Sequence, residues 1–412
     1  MSKLAIDGGQ PVRTDPWPGR IQIDDREIDA VMELMQAART GGAFDRYGGV
    51  HVDAYEEEFA AYMGTKFGAA CSAGTAAVHT ALGALRLEPG SEVICSPITD
   101  PGAIMPVVDL NLIPIFADAG PESMNMQPDG IRAKITDKTR AIVCGHIAGI
   151  PCEMDEIMPI AEEHDLWVIE DCAQAHDAMY DGKKVGSFGH LAAFSLMSGK
   201  HTTAGGQGGM VLTDDEELYW NAKRFADRGK PFNSEVGSNL FLGLNYRMTE
   251  LEACIGRVQL EKMAGIADAR RAFMYRLEEE IADLQTVSVC AYPEKSDPAW
   301  WFGLIRIYED KLTVDKAAFA AAVAAEGVPM GAGYGAIATT AQWLVNQSAY
   351  GKESHFPWDT LWDGDWEAAL AVPGAEAADA NHMRIAVHEC LTEAEALDSA
   401  AAIRKVEETY RK

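Results

Sequence analysis

Residues 166–209 read LWVIEDCAQAHDAMYDGKKVGSFGHLAAFSLMSGKHTTAGGQGG, and the order of parts in this stretch decides how the rest of the chain is read. Leu166 to Ile169 is a short, mostly apolar, partly β-branched run, of the kind buried on both faces of a parallel sheet. Asp171 follows it and would emerge at the strand's carboxyl end, where open α/β sheets place their ligands. A second apolar run, His190 to Leu196, contains Ser195; Lys200 then sits in a loop of Ser, Thr and Gly before a third run, Met210 to Leu212.

Alone, a strand-end Asp is more readily a cap for the next turn, and a loop lysine more readily a solvated one. Together with Ser195 they form a more specific set. A carboxylate at that position can keep a pyridine nitrogen protonated, and a partly desolvated amine has a lowered pKa and can form a Schiff base. Those are the parts that pyridoxal 5′-phosphate (PLP) needs to accept the electrons of a Cα carbanion. Upstream, FGAACSAGTAAVHTALGAL reads as a strand, a sharp turn containing Gly74, and a helix with Thr75 in its first turn. Free backbone N–H groups and the positive dipole end at such a turn offer a seat for a phosphate.

Around this core the pattern alternates strand and helix. Strands are expected at Glu92–Cys95, Ile113–Phe116 and Ala141–Gly145, and helices at 26–38, Met154–Glu163 and Asp215–Asp227. The alternation predicts an α/β fold with a large, doubly wound, mostly parallel sheet. A long helical tract over 248–284 then leads to a smaller α+β lobe with strands near Trp301–Tyr308 and Met383–Val387, and helices at Val314–Glu326 and Glu393–Tyr410. The expected division is an N-terminal arm and large PLP-binding domain over 1–264, and a small C-terminal domain over 265–412. The Trp-rich segment HFPWDTLWDGDW shows no period.

Composition removes several function classes. Lys plus Arg total 35 against 63 Asp plus Glu, a net charge of −28, so the surface as a whole repels nucleic acid and anionic membrane. No apolar run is long enough to span a bilayer, and the first residues lack the apolar core of a signal peptide. The eight cysteines are scattered without metal-ligand pairs or a disulfide framework, which predicts reduced thiols, no metal site and a cytoplasmic protein.

The segments SAGTAAVHTAL, IEDCAQAHDA with GKKVGSFGH, FSLMSGKHTTAGGQGG and NYRMTELEACIGRVQLEKM occur in the order and spacing of one family. The chain resembles the DegT/DnrJ/StrS family of PLP-dependent sugar aminotransferases over nearly its whole length, with the fold of the aspartate aminotransferase group, fold type I. The resemblance implies that Lys200 is the Schiff-base lysine and Asp171 the partner of the pyridine nitrogen. It places Gln174 beside the ring, and Ser195, Gly74 and Thr75 around the phosphate. Asn245 and Arg247 are implied to reach the neighbouring subunit's site in a homodimer, Asn245 towards the cofactor phosphate and Arg247 on the substrate side. His176 matches the motif's histidine, in either a buried hydrogen-bonding or a chemical role. The resemblance is closest to the branch that aminates cyclitol ketones such as inososes, with the related aminohydroxybenzoate synthases.

Three positions depart from the family pattern. Asp100 stands where a stacking aromatic is usual beside the cofactor, Asp177 replaces the Gly of Q-A-H-G, and AGGQGG replaces A-G-E-G-G. Substrate selection is expected from the loop around Phe44 to Tyr47, from Asp100, from the GAGY segment with Tyr334 and from the Trp-rich segment. The resemblance implies ping-pong transfer of an amino group from glutamate or glutamine to a keto-sugar or keto-cyclitol. Alternatives are a PLP-dependent dehydratase, eliminase or cyclase, held open by Asp100, and a PLP-binding regulator without turnover. Lys200 favours transamination, since the family's dehydratases have His there.

Overall fold

Alternation of buried side chains along short apolar runs builds the central sheet of the computed structural model, which describes residues 3–41 and 48–412. Its strands are Phe67–Cys71 (β1), Glu92–Cys95 (β2), Ile113–Phe116 (β3), Thr139–Gly145 (β4), Trp167–Asp171 (β5), Leu191–Ser195 (β6) and Gly209–Thr213 (β7). They lie in the order β1-β7-β6-β5-β4-β2-β3. β7 is antiparallel to β1 and to β6, and the other neighbours pair in parallel. Successive residues feed two cores on opposite faces: Val143 and Ile169 enter one, and Ile142, Cys144 and Val168 the other. Helices cover both faces, so the doubly wound, mostly parallel sheet expected from the sequence is the observed one.

Parallel pairing brings the carboxyl ends of β4, β5 and β6 to one edge: Gly145 pairs with Asp171, and Asp171 with Ala193. Because β7 runs back along β6, the connection carrying Lys200 is held at that same edge. It is closed by Leu196 N–H to Gly208 O at 2.8 Å and Ser198 N–H to Gly206 O at 3.0 Å.

The helix Glu250–Ile281 starts with a capping box, in which Thr249 and Glu252 satisfy each other's backbone. It packs on the helices Asp25–Ala38, Val50–Met63 and Glu393–Tyr410 and runs unbroken across residues 264 and 265. Beyond it, Val287–Val289 (β8), Gly303–Ile307 (β9), Met330–Gly331 (β10) and His382–Ile385 (β11) form an antiparallel sheet in the order β8-β9-β11-β10. The N-terminal arm is fastened to this part of the chain. Glu326 accepts hydrogen bonds from Ala5 N–H at 2.8 Å and Val12 N–H at 3.0 Å.

The expected helices Met154–Glu163 and Glu393–Tyr410 and the strands Glu92–Cys95 and Ile113–Phe116 are found with those bounds, and the remaining elements differ by up to three residues at their ends. The Trp-rich segment holds two short helices, Trp358–Leu361 and Trp366–Leu370. Each is about one turn long, too short for a 3.6-residue period to appear in sequence. Among the described residues, no helix is long and apolar enough to cross a membrane.

Candidate active site

Asp171 ends β5, and its carboxylate accepts the Ala173 N–H at 3.0 Å. Burial raises its pKa above the usual carboxylate range, and the nearby Lys200 charge works against that rise. Lys200 is 7% exposed. Burial lowers its pKa below that of an ordinary lysine, while the carboxylates of Asp171 and Asp100 push it back up. The acid and the amine therefore share one desolvated space at the carboxyl edge of the sheet. The amine also lies 3.8 Å from the centroid of the Trp301 ring.

Gly74 begins the helix Gly74–Leu85, and no side chain caps its first turn. A Cβ added to Gly74 would lie 2.5 Å from Ser195 Cβ and 2.7 Å from its Oγ, so only glycine lets the helix start approach Ser195 so closely. An uncapped N-terminus beside a serine hydroxyl is a cradle suited to a phosphate. Together with a buried acid and a desolvated amine, it makes the residues present fit PLP. Ser72 N–H donates to Tyr246 O at 2.7 Å, which ties the N-Y-R segment to this turn.

Gln174 faces the same space. Its Oε1 accepts the Ala148 N–H at 2.8 Å, and its Nε2 donates to the Tyr334 hydroxyl at 3.0 Å. Burial pushes the Tyr334 phenol up to about 12, so it is neutral at physiological pH. The residues just after the GAGY segment are stitched to the loop after β2 by Thr99 N–H to Ala336 O at 3.0 Å and Ala338 N–H to Pro97 O at 2.8 Å. Asp100, next in that loop, caps a short 3-10 turn through Gly102 N–H at 2.8 Å. A Cβ on Gly102 would meet Thr75 Oγ1 at 2.4 Å, so this turn presses on the helix start. The structure thus gathers Lys200, Asp171, Ser195, Gly74, Thr75, Gln174, Asp100 and Tyr334.

His176 lies behind this group. Its Nδ1 is 3.1 Å from Thr202 Oγ1, its ring stacks on His201 at 5.3 Å, and its buried Nε2 has no hydrogen-bond partner in the described residues. Burial, aided by the Lys200 charge, lowers its pKa to about 3, which makes it a neutral buried residue. Asn245 and Arg247 are turned towards each other, Arg247 Nε donating to Asn245 Oδ1 at 3.1 Å, with Asp227 at 3.3 Å from the guanidinium. Tyr47 lies outside the described residues.

Other residues of the site take their roles from contacts that the sequence does not show. Glu170, one position before Asp171, accepts from Gly186 N–H at 2.7 Å, Phe188 N–H at 2.8 Å and Gly189 N–H at 2.6 Å, and its fourth partner is His146 Nε2 at 3.1 Å. His146 Nδ1 accepts the Cys152 N–H at 3.0 Å, so the ring is neutral with its proton on Nε2. His146, Glu170 and Cys172 place ligand atoms within 4.8 Å of one another, but protein donors already fill the carboxylate and Nδ1 lone pairs. Asp177 has φ +63, a conformation natural to the glycine of the family pattern. Its carboxylate is compensated by Lys184, by the Tyr62 hydroxyl at 2.8 Å and by Arg271 at 3.4 Å.

Fold and site together define a PLP-dependent aminotransferase. The chain belongs to the DegT/DnrJ/EryC1/StrS aminotransferase family, whose model matches residues 22–362. It is 37% identical over 236 residues to GDP-perosamine synthase of Escherichia coli O157:H7, a match covering 57% of this chain and 62% of that protein, a little under two thirds of its length. It is 32% identical over 308 residues to L-glutamine:2-deoxy-scyllo-inosose aminotransferase of Streptomyces kanamyceticus, covering 72% of this chain and 70% of that protein. Among solved structures, the aminotransferase from Psychrobacter cryohalolentis superposes with a TM-score of 0.81 at 32% identity, over 96% of this chain and 99% of that one.

Proposed function

We propose that the chain moves an amino group from glutamate or glutamine to a ketone on a sugar or cyclitol, in two half-reactions at one site. The observation that carries this reading is the Lys200 amine sharing a buried space with Asp171, beside the Gly74–Ser195 cradle. Bound PLP supplies the electron sink for the pair left at Cα when a proton is lost. Asp171 would keep the ring nitrogen protonated, Ser195 Oγ and the backbone at Gly74 and Thr75 would hold the phosphate, and Gln174 would lie beside the ring. Lys200 Nζ would hold the cofactor at rest and, when free, would take up and give back the proton lost from the donor's Cα.

Desolvation suits that role, since an amine with a lowered pKa is available as a base near neutral pH. A sugar or cyclitol acceptor is supported by the relatives named above. A recess of about 440 Å³, lined in part by Met105, Tyr246, Trp343 and Tyr350, adjoins Thr75 at the phosphate cradle. Tyr334 and Tyr47 are the candidate acceptor contacts.

The working unit in this reading is a homodimer in which Asn245 and Arg247 complete the neighbour's site. Its support is an apolar surface unsatisfied in one chain: Leu242 is 88% exposed next to Leu244 and Asn245, and Ile28, Met32 and Met35 form an exposed stripe on the helix Asp25–Ala38. A cytoplasmic setting is supported by the eight cysteines, all free and seven of them buried. The test is turnover. Purified protein with PLP should convert glutamate or glutamine to its keto acid and aminate a keto-cyclitol or keto-sugar, and Lys200→Ala should do neither. Failure to form a keto acid from any amino donor would overturn the reading.

A further inference from the structure

Trp301 belongs to none of the sequence motifs, yet it touches the Lys200 loop at two points. Its ring centroid is 3.8 Å from Lys200 Nζ, and its Nε1 donates to the carbonyl of Gly199 at 2.8 Å. The backbone that delivers it is unusual. Trp300, fully buried, has φ +47, a conformation that bulky residues rarely adopt unless their surroundings enforce it.

The enforcement is visible. Trp301 N–H donates to Ala148 O at 2.8 Å, and Arg270 Nη1 donates to the carbonyls of Trp300 at 3.1 Å and Trp301 at 3.3 Å. Arg270 Nη2 pairs with Glu389 at 2.9 Å, and Glu389 with Arg20 Nε at 2.7 Å. Arg20 Nη2 then donates to the carbonyl of His201 at 2.8 Å, and Gln22 Nε2 to that of Lys200 at 3.2 Å. A closed circuit thus runs from Gly199 through Trp301, Arg270, Glu389 and Arg20 to His201. It fixes the indole against the lysine from both sides of the loop.

We propose that Trp301 is a positioning residue for Lys200: its indole face seats the free amine and favours the ammonium form that carries the proton between half-steps. This rests on the role of Lys200 given under the proposed function. The charged groups facing the amine are the carboxylates of Asp171 and Asp100, with neutral His176 behind; burial opposes the charge. Against that burial the negative face of the indole adds attraction for a cation without adding a titratable group.

The test follows the rate at which the full-length apoprotein forms its absorbing linkage with pyridoxal phosphate as a function of pH, because that rate tracks the unprotonated fraction of Lys200. Wild type is compared with Trp301→Phe and Trp301→Leu, both of which keep apolar bulk. The midpoint should fall from wild type to Phe to Leu, with the Leu variant lower by roughly half to one pH unit. An unchanged midpoint, an upward shift, or equal shifts for Phe and Leu would overturn the proposal, since a space-filling role does not distinguish the two. If Leu fails to fold, the Phe variant against wild type still decides. Linkage formation undiminished in Lys200→Ala would instead refute the role of Lys200, a separate failure.

Discussion

Glu170 and His146 are joined by a 3.1 Å hydrogen bond inside the large sheet, one residue away from Asp171. Burial alone would favour the protonated acid, but His146 and the N–H groups of Gly186 and Gly189 hold Glu170 below the usual carboxylate range. The pair therefore anchors the end of the strand that presents Asp171. Glu170→Gln would turn an amide donor towards backbone donors that have lost their acceptor. The expected cost is about 3 kcal/mol in urea unfolding, with weaker PLP binding. An unchanged unfolding midpoint would contradict this.

His176 gives a pH prediction. The unfolded histidine takes up its proton near 6.5, whereas burial keeps the folded one neutral until about 3. Between those values the unfolded chain binds more protons, so stability falls as pH drops. The slope from this residue reaches about 1.4 kcal/mol per pH unit. His176→Gln should flatten the acid limb of stability measured by urea unfolding at a series of pH values. An equal slope in the variant would place the acid sensitivity elsewhere.

Gly74→Ala should damage the phosphate cradle directly, because the new Cβ would lie 2.5 Å from Ser195 Cβ. PLP affinity, read from titration of the apoprotein, is expected to fall by about tenfold or more, equivalent to about 1.4 kcal/mol. Gly237→Ala, where an added Cβ meets nothing within 4 Å, serves as the control and should bind as wild type does. Equal affinity in the two variants would argue against the cradle.

Shared sites make a prediction of their own. Lys200→Ala and Asn245→Ala should each be inactive alone. Mixed under conditions that exchange subunits, they should recover about a quarter of wild-type turnover, since random pairing in a two-fold dimer leaves one intact site in half the molecules. No recovery would mean that Asn245 acts within its own chain, and an active Asn245→Ala would mean that it does not act at all.

Asp171, Ser195 and Lys200 could be read from the sequence because each is fixed by a short apolar strand whose end is visible in the residue pattern. Gly74 was legible for the same reason, as the turn between a strand and a helix. Trp301 was not: it reaches Lys200 from a hundred positions away in sequence, through a backbone twist at Trp300 that no propensity predicts. Glu170 and His146 were hidden because a motif such as GKKVGSFGH does not say which acceptor its backbone N–H groups meet, and the Cys152 N–H that pairs with His146 lies in no motif. Strands of two residues, such as Met179–Tyr180 and Lys183–Lys184, are too short to show alternation. Asp177, which reads as a departure of unknown effect, is explained by a positive φ and three compensating side chains.

The central claim is that Lys200 is the residue that holds the cofactor. Borohydride reduction of the PLP-loaded protein followed by peptide mass mapping tests it most directly. The account predicts a single pyridoxyl adduct on Lys200, lost in Lys200→Ala. An adduct on a different lysine, or none, would contradict it.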